Sequence, residues 1–312
     1  MRKSVPIYFL VRPGKEDLGS TVMRASQMIE ILKKYGDDRI DPQIMPIPLE
    51  RRFAGFREAW AMTRPKNAIY FATKAAVRKM QTSAFEILRW RARSVWFDHV
   101  DEPVERMKLQ GADVHLACSY EQLDVLNRMK ASRSDMSGTV KLLMHNPDIR
   151  LEGCRQAQQD EFSSVYIGAR DNISIPSALE RDIEIVSPKS GPEMSQAIAN
   201  GWRHNFHYNY RQERAGHEGA IKPFVKGFVA AGLGANIITQ KSTVDAVRFL
   251  GEDYPYFVDN NQSQEDVFAR ARDEFGSPEW NMARSRMLDM WHTVQPQRIA
   301  GQLLSLVDEC MS

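Results

Sequence analysis

The chain has 312 residues, of which 43% are hydrophobic and 26% are charged, as in soluble globular proteins. This length predicts two domains of roughly 150 residues each rather than one hydrophobic core. A net charge of +2 excludes a global electrostatic attraction to nucleic acid or to another polyanion. Three widely spaced cysteines match neither a disulfide framework nor a zinc site, and they indicate a reducing compartment.

The amino terminus, MRKSVPIYFLVRPG, combines a basic start with a short apolar run. The apolar residues 5–11 are at the short limit for a signal peptide and far too few to span a bilayer. They predict a buried strand that ends at an Arg-Pro-Gly turn. No other stretch approaches the roughly 18 uninterrupted apolar residues of a transmembrane helix. We therefore expect a cytoplasmic location.

Segments typical of strands and of helices alternate along the first half of the chain. Extended segments are predicted at 5–11, 41–49, 67–73, 94–100, 112–119 and 139–147. Helices are predicted at 20–36, 103–111 and 120–130. Because strands joined by helices and short turns pair in parallel, this half of the chain predicts a parallel sheet covered on both faces.

A second alternating series follows the polar stretch DIRLEGCRQAQQDEF, residues 148–162, which marks the expected domain boundary. Its predicted strands and helices lie at 163–172, 183–187, 191–201, 206–211, 222–238, 245–251 and 254–260. Two helices at 277–294 and 296–311, separated by Pro296, complete the chain. We therefore expect an α/β protein of two lobes, with the cleft between them as the default ligand site.

The segment KPFVKGFVAAGLGANII, residues 222–238, predicts a helix that begins at Pro223 and leads into a buried strand. Lys222 and Lys226 are four residues apart, so on a helix they would share one face near its N-terminus. The helix dipole favours an anion at that end, and two ammonium groups strengthen the preference. This pattern predicts a phosphate-binding helix start. Two solvated lysines on an ordinary packing helix are the alternative.

Together with AVRFLGEDYPYFV (246–258), that segment resembles the donor-binding lobe of GT-B glycosyltransferases. Other blocks resemble the same family in their order and spacing: GSTVMRASQMIEILKKYG (19–36), VWFDHVDEP (95–103), ADVHLACSYEQLDVL (112–126), VKLLMHNPD (140–148) and VYIGARDNI (165–173). The resemblance implies two Rossmann-like lobes with an interlobe cleft and a C-terminal helix that crosses back. Residues 1–153 would form the acceptor-side lobe, residues 154–276 the nucleotide-sugar-binding lobe, and residues 277–312 the helices that pack back towards the first lobe.

The resemblance implies a glycosyltransferase that moves a hexosyl or deoxyhexosyl group from a nucleotide-sugar donor to a glycan or lipid-linked acceptor, as in polysaccharide biosynthesis. No Asp-x-Asp motif occurs, which argues against the metal-dependent GT-A class, so we expect neither a metal nor another cofactor. The glutamate pair E-x7-E, which many retaining members carry around the donor helix, is also missing from that part of the chain. A sugar-nucleotide epimerase or hydrolase of the same fold, and a non-catalytic binding protein, are therefore open alternatives.

Other residues must hold the donor diphosphate where the glutamate pair is missing. The residues assigned to donor or phosphate binding are Lys222, Lys226, Arg211, Gly168, Ser242 and Thr243. Arg211 ends a predicted strand and would clamp the diphosphate, and Gly168 would let the backbone approach it. Ser242 and Thr243 either contact phosphate or cap the helix that follows.

The stretch FDHVDEP places Asp98, His99 and Asp101 directly after a predicted strand, where side chains face the ligand cleft of open α/β sheets. An inverting sugar transfer needs a base that accepts the proton of the acceptor hydroxyl, and a carboxylate or an imidazole serves. These three residues are the predicted catalytic candidates. The alternative is a polar turn in which Asp101 caps a helix that begins at Pro103.

Gly19, Ser20 and Arg24 lie at the start of the first predicted helix and are assigned to the acceptor side. Arg24 would place a guanidinium near the mouth of the first strand, and an ordinary surface arginine is the alternative. The stretch RWRARSVW (89–96) interleaves arginine with tryptophan. A solvated helix end explains it, and peripheral docking at the inner membrane face is a minority alternative. No nucleic-acid partner is expected.

Overall fold

The structure, a computed structural model, describes residues 4–14, 19–49, 53–157, 160–211, 219–259 and 261–311. The chain folds into two compact units. Unit 1 comprises Met1–Asn146, Gly219–Pro223 and Pro296–Ser312, and unit 2 comprises Pro147–Glu218 and Phe224–Gln295. Each unit is built on a parallel sheet, which confirms the predicted α/β fold with two lobes.

Unit 1 holds a six-stranded parallel sheet in the order β2-β1-β3-β4-β5-β6. The strands are β1 (Val5–Val11), β2 (Ile40–Pro46), β3 (Ile69–Ala72), β4 (Ser94–Asp98), β5 (Val114–Ala117) and β6 (Thr139–Leu142). Every residue of β3, β4 and β5 is buried, because central parallel strands are covered by helices on both faces. Aromatic side chains in register fill this core, with Phe9 opposite Phe71 and Phe71 opposite Trp96.

The sheet of unit 1 is covered by helices that follow its strands. They are α1 (Gly19–Thr21), α2 (Met28–Tyr35), α3 (Phe56–Met62), α4 (Lys74–Lys79), α5 (Thr82–Arg91) and α6 (Tyr120–Ser132). A π-helical stretch, Val22–Gln27, joins α1 to α2. Ser119 precedes α6, and its hydroxyl accepts a hydrogen bond of 3.1 Å from the Gln122 backbone N–H, as a typical N-cap does.

The helix predicted at 103–111 is wrong. A short 3-10 turn, Val104–Arg106, forms there, Met107 has an extended backbone, and no helix forms over 107–111. Met107 and Leu109 are both buried in a small apolar cluster. Two residues that are two apart reach the same core from an extended chain but not from a helix, so burial overrides the helical pattern.

Unit 2 holds a five-stranded parallel sheet in the order β11-β10-β9-β7-β8. The strands are β7 (Ser164–Ile167), β8 (Ile183–Val186), β9 (Phe206–Asn209), β10 (Asn236–Gln240) and β11 (Phe257–Val258). The helices are α7 (Gly191–Asn200), α8 (Val225–Gly232), α9 (Ala246–Leu250), α10 (Gln264–Asp273) and α11 (Pro278–Val294). A side chain at Gly232 would meet the Trp291 ring at 2.8 Å, so glycine permits the close approach of α8 and α11.

The last helix, α12 (Pro296–Met311), belongs to unit 1, whereas α11 belongs to unit 2. α12 packs against α2 and carries surface ion pairs, Asp308 with Arg39 (2.5 Å) and Glu309 with Lys141 (2.5 Å). The predicted return of the C-terminal helix to the first lobe is therefore observed. The two final helices, grouped together in the sequence, lie in different units because α11 packs on α8 and α9.

Candidate functional site

The carboxyl end of β4 carries an ion pair between Asp98 and Arg24, and both side chains are fully excluded from solvent. The guanidinium donates to both carboxylate oxygens, with Nη2–Oδ1 at 2.9 Å and Nε–Oδ2 at 3.2 Å. It also donates to the carbonyl oxygens of Leu143 (3.3 Å) and Met144 (3.1 Å). These bonds tie β4 to the chain that follows β6. The surface-arginine alternative for Arg24 is therefore wrong.

Two buried imidazoles lie next to this pair. The rings of His99 and His115 stack with centroids 5.1 Å apart, and His99 Nε2 lies 2.8 Å from His115 Nδ1. Burial lowers the pKa of His99 to about 3 and that of His115 to about 4. Both rings are therefore neutral at pH 7, since a buried site disfavours the charged form.

The hydrogen bonds of the two histidines determine where their protons lie. His115 Nε2 is 3.0 Å from the Ser137 carbonyl oxygen, which only accepts, so this nitrogen carries the His115 proton. His115 Nδ1 must then accept, and His99 must donate from Nε2. The lone pair of His99 is consequently on Nδ1, a nitrogen that makes no hydrogen bond within the described residues.

Asp101 differs from the other two catalytic candidates because its side chain is 37% exposed. Its backbone has φ of 52°, a conformation that few non-glycine residues adopt. Lys74 Nζ is 3.9 Å from its carboxylate, a loose contact. No side chain caps the 3-10 turn that follows, so the capping alternative for Asp101 is wrong. Among Asp98, His99 and Asp101, the accessible carboxylate belongs to Asp101.

A cavity of about 340 Å³ opens at this edge of unit 1. It is lined by Asp98, His99 and Glu102, and by cationic side chains from α4, from the end of the 3-10 turn and from the segment after it. The sequence-based candidates did not include these cations. A signal for two of them exists, because KAAVRK directly follows a buried strand and places Lys74 and Arg78 on one helical face.

Two of the predicted acceptor-side residues remain, Gly19 and Ser20. Gly19 begins α1 and is exposed, and the side chain of Ser20 lies outside the described residues.

In the part of the chain that the structure describes, no group of three or more His, Cys, Asp or Glu residues could hold a metal ion. None of the described helices is both long enough and apolar enough to cross a membrane.

In unit 2, Gly168 and Lys226 lie together at the carboxyl end of β7. Lys226 Nζ donates a hydrogen bond to the Ile167 carbonyl oxygen and lies 5.2 Å from the centre of the Tyr166 ring. Gly168 has φ of 153°, and a side chain there would come within 2.7 Å of Lys226 Nζ. Burial and the nearby charge of Arg211 lower the pKa of Lys226 to about 8. The structure thus brings together Gly168, Lys226 and Arg211.

Lys222 does not share a helical face with Lys226. α8 begins at Val225, after the non-helical residue Phe224, so Lys222 and Pro223 precede the helix and the predicted start at Pro223 is wrong. Phe224 is buried, and its ring lies where a side chain of Gly227 would be, at 2.4 Å. Because this ring is buried, Phe224 stays outside the helix, which begins at the next residue. Lys222 belongs to unit 1, whereas Lys226 belongs to unit 2.

Hydrogen-bonded polar side chains, of which Asn209 and Thr239 are buried, lie at the carboxyl ends of β9 and β10. Asn209 Nδ2 donates to Thr239 Oγ1 (3.0 Å), and Thr239 Oγ1 is 3.0 Å from Thr243 Oγ1. Asn209 Oδ1 is buried and has no hydrogen-bond partner among the described residues. α9 begins after Asp245 without a side-chain cap, so the capping alternative for Ser242 and Thr243 is wrong. Asn209 and Thr239 are absent from the sequence-based candidates.

No protein-family model and no curated protein sequence matches the chain. Solved structures match it along nearly its whole length. Anabaena HepE, determined in complex with UDP, superposes with a TM-score of 0.63 over 98% of this chain and 100% of its own, at 11% identity. Sucrose-phosphate synthase from Thermosynechococcus elongatus gives 0.61 over 98% and 99%, at 12% identity. The chain has the GT-B fold.

A further GT-B structure, a glycosyltransferase from Rickettsia africae, covers 99% of this chain and 99% of its own, with a TM-score of 0.61 and 8% identity. Identities this low concern the architecture and not the chemistry. In the GT-B fold of this chain, the polar residues with a chemical role must therefore be identified from their own surroundings. Such residues lie together at the carboxyl end of β4 in unit 1 and at the carboxyl ends of β7, β9 and β10 in unit 2.

Proposed function

We propose that this GT-B chain is a glycosyltransferase that takes a hexosyl or deoxyhexosyl group from a nucleoside-diphosphate sugar, without a metal, and passes it to a glycan or lipid-linked acceptor. The observation that carries the proposal is the convergence of Gly168, Lys226 and Arg211 at the carboxyl end of β7. Strand ends of this kind are where open α/β sheets bind ligands. The fold relatives include HepE with UDP bound, which supports a nucleoside diphosphate as ligand.

The chemistry of this edge suits a leaving diphosphate. Negative charge develops on the diphosphate as the bond to the sugar breaks, and a fixed cation stabilises it. Lys226 is half-buried and burial disfavours its charged form, so a phosphate oxygen would stabilise that charge. The missing side chain at Gly168 leaves room for that oxygen close to the ammonium group. Arg211 would add a planar guanidinium, which matches a phosphate in two-point contact.

In unit 1 we propose Asp101 as the base that accepts the proton of the acceptor hydroxyl. Its carboxylate is accessible, and its positive φ holds it at the end of β4. Asp98 and His99 would then hold the end of β4 in place and would not accept the proton. Strained backbone conformations of this kind are often retained at functional sites.

Thermal unfolding with a panel of nucleoside diphosphates, with Mg²⁺ and with a chelator, tests the donor site. A ligand at a hundredfold excess over its Kd stabilises by about 2.7 kcal/mol, which shifts the midpoint by roughly 5–10 °C for a domain of this size. We expect one diphosphate to give such a shift regardless of Mg²⁺. The variant Lys226→Met should abolish it.

The matched control is Lys189→Met, which removes the charge of an exposed lysine of the same unit. We expect this variant to retain the full shift. A second assay follows release of nucleoside diphosphate from a nucleotide sugar, with and without acceptor, because a hydrolase needs no acceptor and an epimerase releases no diphosphate. No shift with any diphosphate, or an equal loss in both variants, would contradict the proposal.

A further inference from the structure

The cavity of unit 1 beside β4 has a strongly cationic lining. Its volume of about 340 Å³ falls in the range of small-molecule sites. The lining includes Lys74, Arg78, Arg106 and Lys108. The first two belong to α4, whereas Arg106 ends the 3-10 turn and Lys108 follows it, so distant parts of the chain meet here only in the folded unit.

The carboxylates in the same lining do not offset this charge fully. Asp98 is neutralised by Arg24, at 2.9 Å. Glu102 is buried and neutralised by Arg78, with Nε–Oε2 at 2.6 Å. Each lining carboxylate is therefore matched by one guanidinium, and the positive charges of the other three lining cations remain.

These three cations are poorly neutralised. Lys74 is 3.9 Å from the exposed carboxylate of Asp101. Lys108 donates to the Met80 carbonyl oxygen, and burial lowers its pKa, so its charge would gain from an anion. Arg106 is exposed, and its guanidinium has neither an ion pair nor a hydrogen bond within the described residues. An anion in the cavity would meet cations that have no strong partner of their own.

The cavity also offers a hydrogen-bond acceptor. His99 lines it, and the bonds to His115 and Ser137 leave the His99 lone pair on Nδ1. A neutral imidazole nitrogen with a free lone pair accepts a hydrogen bond from a hydroxyl group. Cations and this acceptor together suit a molecule that carries both an anionic group and hydroxyls.

We propose that this cavity binds a small hydroxylated anion, a phosphorylated sugar, which narrows the acceptor of the proposed transfer from a glycan or lipid-linked molecule in general to one that carries a sugar phosphate. Arg106 and Lys108 would hold the phosphate, with Lys74 adding charge, and His99 Nδ1 would accept a hydrogen bond from a sugar hydroxyl. The role of the sugar phosphate as acceptor rests on the proposed function. Its binding in this cavity is independent of that function.

Titration calorimetry of the full chain with glucose 6-phosphate, glucose and inorganic phosphate tests this site. We expect glucose 6-phosphate to bind more tightly than phosphate, and glucose to bind least. The variant Arg106→Met/Lys108→Met should weaken glucose 6-phosphate by at least about tenfold, since a charge-assisted hydrogen bond contributes about that factor. If the double variant fails to fold, Arg106→Met alone, at an exposed and unpaired side chain, should still weaken binding.

The matched control, Lys33→Met/Arg93→Met, removes the same charge from exposed positions of unit 1 away from the cavity. We expect its affinity to stay within about twofold of the parent. Equal weakening by both double variants would attribute binding to overall charge and overturn the proposal. So would unchanged affinity in the cavity variant, or glucose binding as tightly as its phosphate.

The sugar-phosphate site and the donor site can fail separately. Lys226→Met should leave the affinity for glucose 6-phosphate unchanged, because Lys226 lies in unit 2. If no nucleoside diphosphate binds but glucose 6-phosphate does, the proposed function falls while the site remains. If Lys226→Met abolishes glucose 6-phosphate binding and the cavity variant does not, the anion belongs to unit 2 and this inference is overturned.

Discussion

Replacing Asp98 with asparagine should strongly destabilise the protein, although Asp98 lies in a stretch of candidate catalytic residues. The change leaves the charge of Arg24 buried without a counterion, since both side chains are fully excluded from solvent. Removing one partner of a buried ion pair typically costs about 3–5 kcal/mol. The asparagine oxygen still accepts one hydrogen bond, so we expect the lower end, about 3 kcal/mol.

For a domain of this size, that loss should lower the unfolding midpoint by about 6–12 °C. Calorimetry and urea unfolding of the full chain measure it directly. The variant Arg24→Met/Asp98→Leu should recover part of the loss, because an apolar pair leaves no buried charge. Recovery stays partial because the carbonyls of Leu143 and Met144 lose their donor.

Asp101→Asn is the matched comparison at an exposed carboxylate. We expect it to shift the midpoint by less than about 2 °C, since exposed ion pairs contribute little, while it lowers the rate of sugar transfer. If Asp98→Asn instead melts like the parent and abolishes transfer, Asp98 is the base. The structural role argued for the Arg24–Asp98 pair would then be wrong.

Binding of a nucleoside diphosphate should weaken as pH rises above about 8, by up to about tenfold per pH unit, because Lys226 loses its proton there; titration at pH 7 and 9.5 should show this, and Lys226→Arg should flatten the profile. Burial lowers the pKa of His207 to about 3, so the folded state keeps this ring neutral while the unfolded chain binds a proton below about pH 6.5. Its contribution to stability is therefore present above that pH and lost as pH falls, by about 2 kcal/mol between pH 7 and 5, and urea unfolding of His207→Gln should show a smaller loss. Gly168→Ala should cost at least about 1 kcal/mol, because its φ of 153° is strained for alanine and the new methyl group would meet Lys226 Nζ; Gly191→Ala, with open space around it, should be nearly neutral, and equal losses would refute the steric explanation.

The alternation of buried strands and helices could be predicted from the sequence because each element carries its own pattern. Runs such as VPIYFLV and AIYFA lack charged and amide side chains, as expected of strands buried on both faces. The polar stretch at 148–162 indicated a boundary close to the one at Asn146 and Pro147. Gly168, Arg211 and Lys226, which the sequence selected because they follow or flank predicted strands, lie close together in the structure.

Boundaries and partners that depend on distant residues could not be predicted in this way. Arg24 looks like a surface residue in a helical pattern, and only the fold brings it to Asp98, 74 positions away in the chain. The start of α8 depends on where Phe224 is buried, which separates Lys222 from Lys226. Local patterns determine which segments form strands and helices, because they reflect periodic burial.

The cationic cavity of unit 1 likewise depends on contacts between distant residues that local sequence patterns do not show. Arg106 and Lys108 lie in a segment with a helical pattern, and they line the cavity because Met107 and Leu109 pack inward from an extended chain. Lys74 reaches the same space from a different element. The sequence by itself determined the α/β fold, and it predicted ligand binding at the carboxyl ends of the strands. Tertiary structure alone decided which charges are neutralised there, because that depends on side chains far apart in the chain.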